Sequence, residues 1–139
     1  FLKKNLKKMI LNPSLLFDKT KRSIKFHFDM MHGDGNLKKA INCMEKDDKD
    51  DFEFFVNSEV SFNPHNMFIC KSKKTLSKYY HAVFPWLERC EKEFGFQLEG
   101  YGLKRIYGFL AERYLSYWFK KYTKFKTLPI IFADISELS

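Results

Sequence analysis

The chain has 139 residues, 45% hydrophobic and 18% aromatic, so it is the size of one ordinary domain and has the apolar material for a real core. A formal net charge of +8 attracts anions at long range, whether phosphates, nucleotide sugars, acidic lipid headgroups or nucleic acid. Three cysteines, Cys43, Cys70 and Cys90, are scattered and odd in number, which excludes a disulfide framework or a zinc knuckle and suits a reducing, cytosolic setting.

Phe1 to Leu11 sets Leu2, Leu6, Met9 and Ile10 at helical spacing against Lys3, Lys4, Lys7 and Lys8, with Pro13 just past the stop. This is a basic amphipathic helix, either packed on another domain or lying on an anionic membrane face. A start at Phe1, directly on that pattern, reads as a segment of a longer protein. No apolar run approaches the roughly 20 residues that span a bilayer, so membrane contact is expected to be peripheral.

Ile24 to Asp29 alternates apolar and polar residues and predicts a short strand running into the loop His32-Gly33-Asp34-Gly35-Asn36. Asn36 then caps a helix to about Lys46, carrying Leu37, Ala40, Ile41 and Met44. Asp47 to Asp51 reads as a solvated connection and Phe52 to Val56 as a short apolar element. After the break at Asn63-Pro64, Met67 to Cys70 predicts a short buried strand, and Ser72 caps a helix from Lys73 to Phe94. Its expected buried side is Leu76, Tyr79, Tyr80, Val83, Phe84, Leu87 and Cys90, with a kink or break at Pro85 and a stop at Gly95. The strongest helical pattern runs from Tyr101 to Tyr122, with Leu103, Ile106, Tyr107, Leu110, Tyr114, Tyr117 and Trp118 as one core face. Leu128 to Phe132 predicts a last short strand. The fold class expected is α+β, mainly helical with a few short strands, divided into a basic helix and linker over 1–23 and a domain over 24–139.

Three groups of residues are candidates for chemistry. On the last helix Arg105, Gly108 and Glu112 fall within about 60° of one another, opposite the core stripe. A mid-helix glycine between a guanidinium and a carboxylate leaves a hollow where a ligand or backbone can come close, although charges opposite a core stripe also describe a solvated face. Arg113 follows in the same stretch. His65 and Asn66 stand between the proline break and the predicted strand, at a strand mouth of the kind that binds ligands, or as a loop satisfying its own backbone. His27, Asp29, His32 and Asp34 are potential metal ligands at no spacing that defines a metal motif, so no metal site is assigned to them. A Gly-rich phosphate loop, a nucleophile elbow and a zinc-binding cysteine pattern are all missing, which removes the main support for kinase, hydrolase and zinc-finger readings. The aromatic residues lie at core spacing rather than in a stacking array, against nucleic-acid binding.

Asn66-Met67-Phe68-Ile69, the Tyr80 to Trp86 stretch with its Phe-Pro-Trp, and Arg105 to Arg113 followed by Trp118 resemble the C-terminal half of a bacterial capsular polysaccharide and lipopolysaccharide glycosyltransferase family, formerly a domain of unknown function. The resemblance runs from about Phe62 to Ile131 and is faint over Ile24 to Asp51. It implies the C-terminal, acceptor-side portion of a GT-A-like α/β glycosyltransferase, transferring sugar from a nucleotide-sugar donor to a capsular, O-antigen or other surface glycan at the cytoplasmic, inner face of the inner membrane. It implies also a divalent cation, manganese or magnesium, held mainly by an N-terminal donor-binding half, without which this chain is inactive alone. On that scheme Glu112 positions or deprotonates the acceptor hydroxyl, Arg105 or Arg113 balances diphosphate charge, Gly108 gives the cleft room, and His65 with Asn66 holds sugar or diphosphate oxygens. The alternative is a non-catalytic basic domain that binds a membrane surface or a protein partner.

Overall fold

A computed structural model describes residues 22–128, and these form six helices and no strand. In chain order they are α1 (Ile24–His32), α2 (Asn36–Asn42), α3 (Lys46–Ser58), α4 (Lys73–Phe94), α5 (Tyr101–Lys104) and α6 (Ile106–Tyr122). The expected basic helix at Phe1 to Leu11 lies outside the described residues, as does all but Leu128 of the expected last strand. An α+β fold with short strands is therefore corrected to an all-helical one over the described residues, and with it the GT-A-like assignment.

Each displaced strand has a physical reason. Ile24 to Asp29 is helical because the residues that need burial are Ile24, Phe28 and His32, spaced at fours, whereas Phe26 of the apparent alternation is 44% exposed. Ser23 caps this helix by accepting the Phe26 amide at 3.1 Å, and Lys25 pairs with Asp29 one turn on at 2.6 Å. Met67 to Cys70 has no regular secondary structure and pairs with no neighbouring segment among the described residues. Phe68 is half-buried against Tyr79 and Phe119, and Cys70 is half-buried too, while Ile69 is 86% exposed.

The supposed connection Asp47 to Asp51 is instead the opening of α3. Acidic residues are favoured there by the partial positive charge of a helix N-terminus, and Phe52, Phe55 and Val56 follow as its core face. Asn36 does not cap α2, whose N-cap is Gly35. Its side chain turns back to donate to the His32 carbonyl at 2.8 Å and so closes the end of α1. α2 ends at Asn42, four residues short of the expected stop, and Lys46 instead opens α3.

α4 does run from the Ser72 cap to Gly95, and Pro85 sits on its exposed side without interrupting it. Its buried face is Tyr79, Val83, Trp86 and Cys90. Tyr80 and Phe84, expected inside, are outside. The last helix is broken at Arg105, and α5 packs on α1. Ile106, Leu110, Tyr114, Tyr117 and Trp118 are buried as the periodicity requires, and Arg113 and Leu115 join them.

The core forms where α4 and α6 pack along one another and α3 closes over them. Phe52 lies at its centre, its ring 5.7 Å from Trp86, 5.7 Å from Tyr114 and 5.2 Å from Tyr117. Trp86 satisfies its indole N–H on the Ala40 carbonyl at 2.8 Å, which ties α2 to α4. α6 thus has one face fixed in the core and the opposite edge free to carry a site.

Candidate functional site

The chain between α3 and α4 crosses the edge of α6 and is pinned to it at three successive turns. The Asn63 amide donates to Ser116 Oγ at 2.8 Å, the His65 amide to Glu112 Oε1 at 3.1 Å, and Asn66 Nδ2 to the Gly108 carbonyl at 3.1 Å. Positions 108, 112 and 116 recur at fours, so they form one line along the helix. The residues that the sequence singles out at His65, Asn66, Gly108 and Glu112 are brought together here, although 42 or more positions separate the two segments.

The backbone at this point is strained. His65 has φ 72° and Asn66 φ 50°, two consecutive side-chain-bearing residues in the left-handed region, and no other described non-glycine residue has a positive φ. Asn tolerates this conformation well and His less so, at a cost of about 1–3 kcal/mol for an ordinary residue. The hydrogen bonds to Glu112 and Gly108 hold the turn, and both side chains remain exposed. A methyl group on Gly108 would meet nothing within 4 Å, so this glycine is exposed surface beside the turn and no walled hollow surrounds it.

Beneath it lies a charge that sequence reasoning placed at the ligand. Arg113 is only 2% exposed. It donates to Glu112 Oε2 and to the Phe109 carbonyl, both at 3.0 Å, and its guanidinium lies 4.1 Å from the Phe62 ring centre and 5.2 Å from that of Phe28. Burial lowers its pKa to about 10, with Glu112 partly countering, so it stays charged at neutral pH. Glu112 is thus fixed on one oxygen by Arg113 and on the other by the His65 amide. Arg105 stands apart at the α5–α6 junction, exposed, donating to the Tyr101 hydroxyl at 2.7 Å and lying over the rings of Tyr101 and Phe109.

His32 is the residue the sequence misplaced most. It is buried, stacked on Phe109 at 4.1 Å and edge-on to Phe28, with Nδ1 lacking a well-formed hydrogen bond. Burial, and then the charge of Arg113, lower its pKa to about 4, while a backbone group of Gly102 partly offsets them. The possible ligands around it scatter. His27 and Asp34 are exposed, Asp29 is engaged by Lys25, and among the described residues no three His, Cys, Asp or Glu side chains come together to hold a metal.

Residues 3–124 match the family described as a domain of unknown function (DUF4422). The chain belongs to this family. No curated protein and no solved structure matches it. The DUF4422 match takes in the whole described helical unit, from α1 through α6, and so includes both segments of the site. Among the described residues no helix is long and apolar enough to cross a membrane.

Proposed function

We propose that the protein is a glycosyltransferase that moves a sugar from a nucleotide-sugar donor to a glycan acceptor, with this helical unit lining the acceptor side. The observation that carries the reading is the strained His65–Asn66 turn, held on the Glu112–Arg113 pair with an imidazole and an amide exposed beside the bare helix surface at Gly108. Strain at an over-determined turn is a common mark of a site where geometry matters more than stability.

Sugar transfer must neutralise the departing nucleoside diphosphate, take a proton from the acceptor hydroxyl and keep water from an oxocarbenium-like transition state. Arg105, exposed and paired with no carboxylate among the described residues, would meet a diphosphate by reaching in from the α5–α6 junction. Arg113 is committed to Glu112 and acts through it. His65 and Asn66 offer hydrogen-bonding groups to sugar or diphosphate oxygens. Glu112 already accepts an N–H on each oxygen, which suits a positioning residue for the turn better than a free base.

A panel of nucleotide sugars tested for hydrolysis and transfer with the full-length protein checks the reading, and turnover of at least one donor is expected. His65→Ala should then lower turnover about tenfold or more. Glu112→Gln should lower it by a similar factor with an unchanged pH profile. A fall beyond about a hundredfold with loss of the acidic limb would instead make Glu112 the general base. If no donor is consumed, or His65→Ala is silent, sugar transfer at this site is wrong and the non-catalytic alternative takes its place.

A further inference from the structure

From Val60 to Leu87 the chain carries no Asp or Glu, while it holds Lys71, Lys73, Lys74 and Lys78. Among the described residues none of these four has a carboxylate partner, in contrast to Lys38, Lys92, Lys120 and Lys121, which pair with Glu53, Glu88, Glu59 and Asp48. The same stretch exposes large apolar side chains: Met67 at 57%, Ile69 at 86%, Tyr80 at 40% and Phe84 at 58%. At 100° per residue Lys73, Lys74, Lys78 and Phe84 all fall on the side of α4 away from Tyr79, Val83, Trp86 and Cys90. Tyr80 lies at the edge of that side with its ring 5.4 Å from that of Phe84. Between residues 67–70 and the start of α4 is an open hollow of about 430 Å³ lined by Met67, Phe68, Cys70, Leu76 and Tyr80 together with Asn66.

We propose that residues 67–84 form a docking face for an anionic lipid surface. Lysine is depleted from the buried centre of protein–protein interfaces, where its desolvation is costly. At a lipid headgroup layer the same lysines stay hydrated beside acidic lipids, and isolated apolar side chains reach past them toward the acyl boundary. Tyrosine is the aromatic residue suited to that depth, with an apolar ring and a polar tip. Ile69 and Phe84 insert, Tyr80 lies at headgroup level, and the four lysines supply the charge. This face does not rest on the sugar-transfer reading, since none of its charged or inserting residues belongs to the Glu112 site.

The test is co-sedimentation of the full-length protein with vesicles of mixed phosphatidylserine and phosphatidylcholine, against vesicles of phosphatidylcholine alone. Binding to the acidic vesicles only is expected. A worth of about 1 kcal/mol for each lysine near an acidic surface is about fivefold per lysine, so changing Lys71, Lys73, Lys74 and Lys78 to Ser should weaken partitioning by about a hundredfold or more. Ile69→Ser with Phe84→Ser should abolish the binding that survives at high salt. Changing four other unpaired lysines, Lys39, Lys46, Lys104 and Lys124, to Ser removes the same charge elsewhere and should cost no more than about fivefold. Far-UV circular dichroism checks that each variant is folded. Equal binding to both vesicles, no binding, or an equal loss in the control variant overturns the proposal. So does a dimer that Ile69→Ser with Phe84→Ser dissociates without changing vesicle binding, or preference for a single-stranded oligonucleotide over acidic vesicles.

Discussion

Gly102 and Gly108, six positions apart, answer opposite demands. A methyl at Gly102 would run into the Met31 carbonyl oxygen, because α5 lies against the end of α1, so Gly102→Ala should destabilise by about 1–3 kcal/mol, read as a lower denaturant midpoint. At Gly108 a methyl meets nothing, so Gly108→Ala should stabilise by up to about 1 kcal/mol. If substrate lies over this exposed position, the same variant loses turnover while gaining stability. The sequence marks Gly108 but says nothing of the space at either glycine, since the atom that crowds Gly102 comes from the end of α1. His32 makes a similar point. Its pKa is lowered in the folded protein, so the stability linked to keeping it neutral is fully present above about pH 6.5 and is lost as the pH falls toward 4. The loss is on the order of 3 kcal/mol, so His32→Phe, which retains a ring against Phe109, should lack it, and the stability difference between the two proteins should shift by about that amount between pH 6.5 and 4.

At the scale of elements, α3 shows why a charged run is hard to read. Asp48 accepts hydrogen bonds from Tyr122, Tyr117 and Tyr114 at 2.7, 2.8 and 3.1 Å and pairs with Lys121 at 2.8 Å. Burial pushes its pKa up, but the Lys121, Tyr122 and Tyr117 hydrogen bonds together outweigh burial and hold it below the usual carboxylate value. The stability it gives is therefore present above about pH 4 and lost as the pH falls below that. Asp48→Asn should cost about 1–3 kcal/mol at neutral pH, measured by chemical unfolding, because the amide oxygen cannot accept all four donors. In the sequence Asp47 to Asp51 looks like a solvated link, since its partners lie more than 60 positions away on α6. By contrast, the Ser72 cap and Gly95 stop of α4 were legible, because capping is a local exchange of hydrogen bonds. The break at Arg105 was not legible: the 3.6-residue periodicity runs on across it, and the packing of α5 on α1 interrupts the helix.

For the whole molecule, composition and apolar periodicity settled that the chain has an aromatic core and that α6 carries its main face. They also picked out His65, Asn66, Gly108 and Glu112, whose residue types and local breaks are unusual wherever the chain folds. Only the tertiary structure decided that the alternating stretch at Ile24 is helical, that Arg113 is buried under Glu112, and that Tyr80 and Phe84 face outward. The physical reason is common to all three. A side chain's period along the chain says which neighbours share its face, but whether that face is dry depends on which element comes to cover it, and for these residues the cover comes from distant parts of the sequence or not at all.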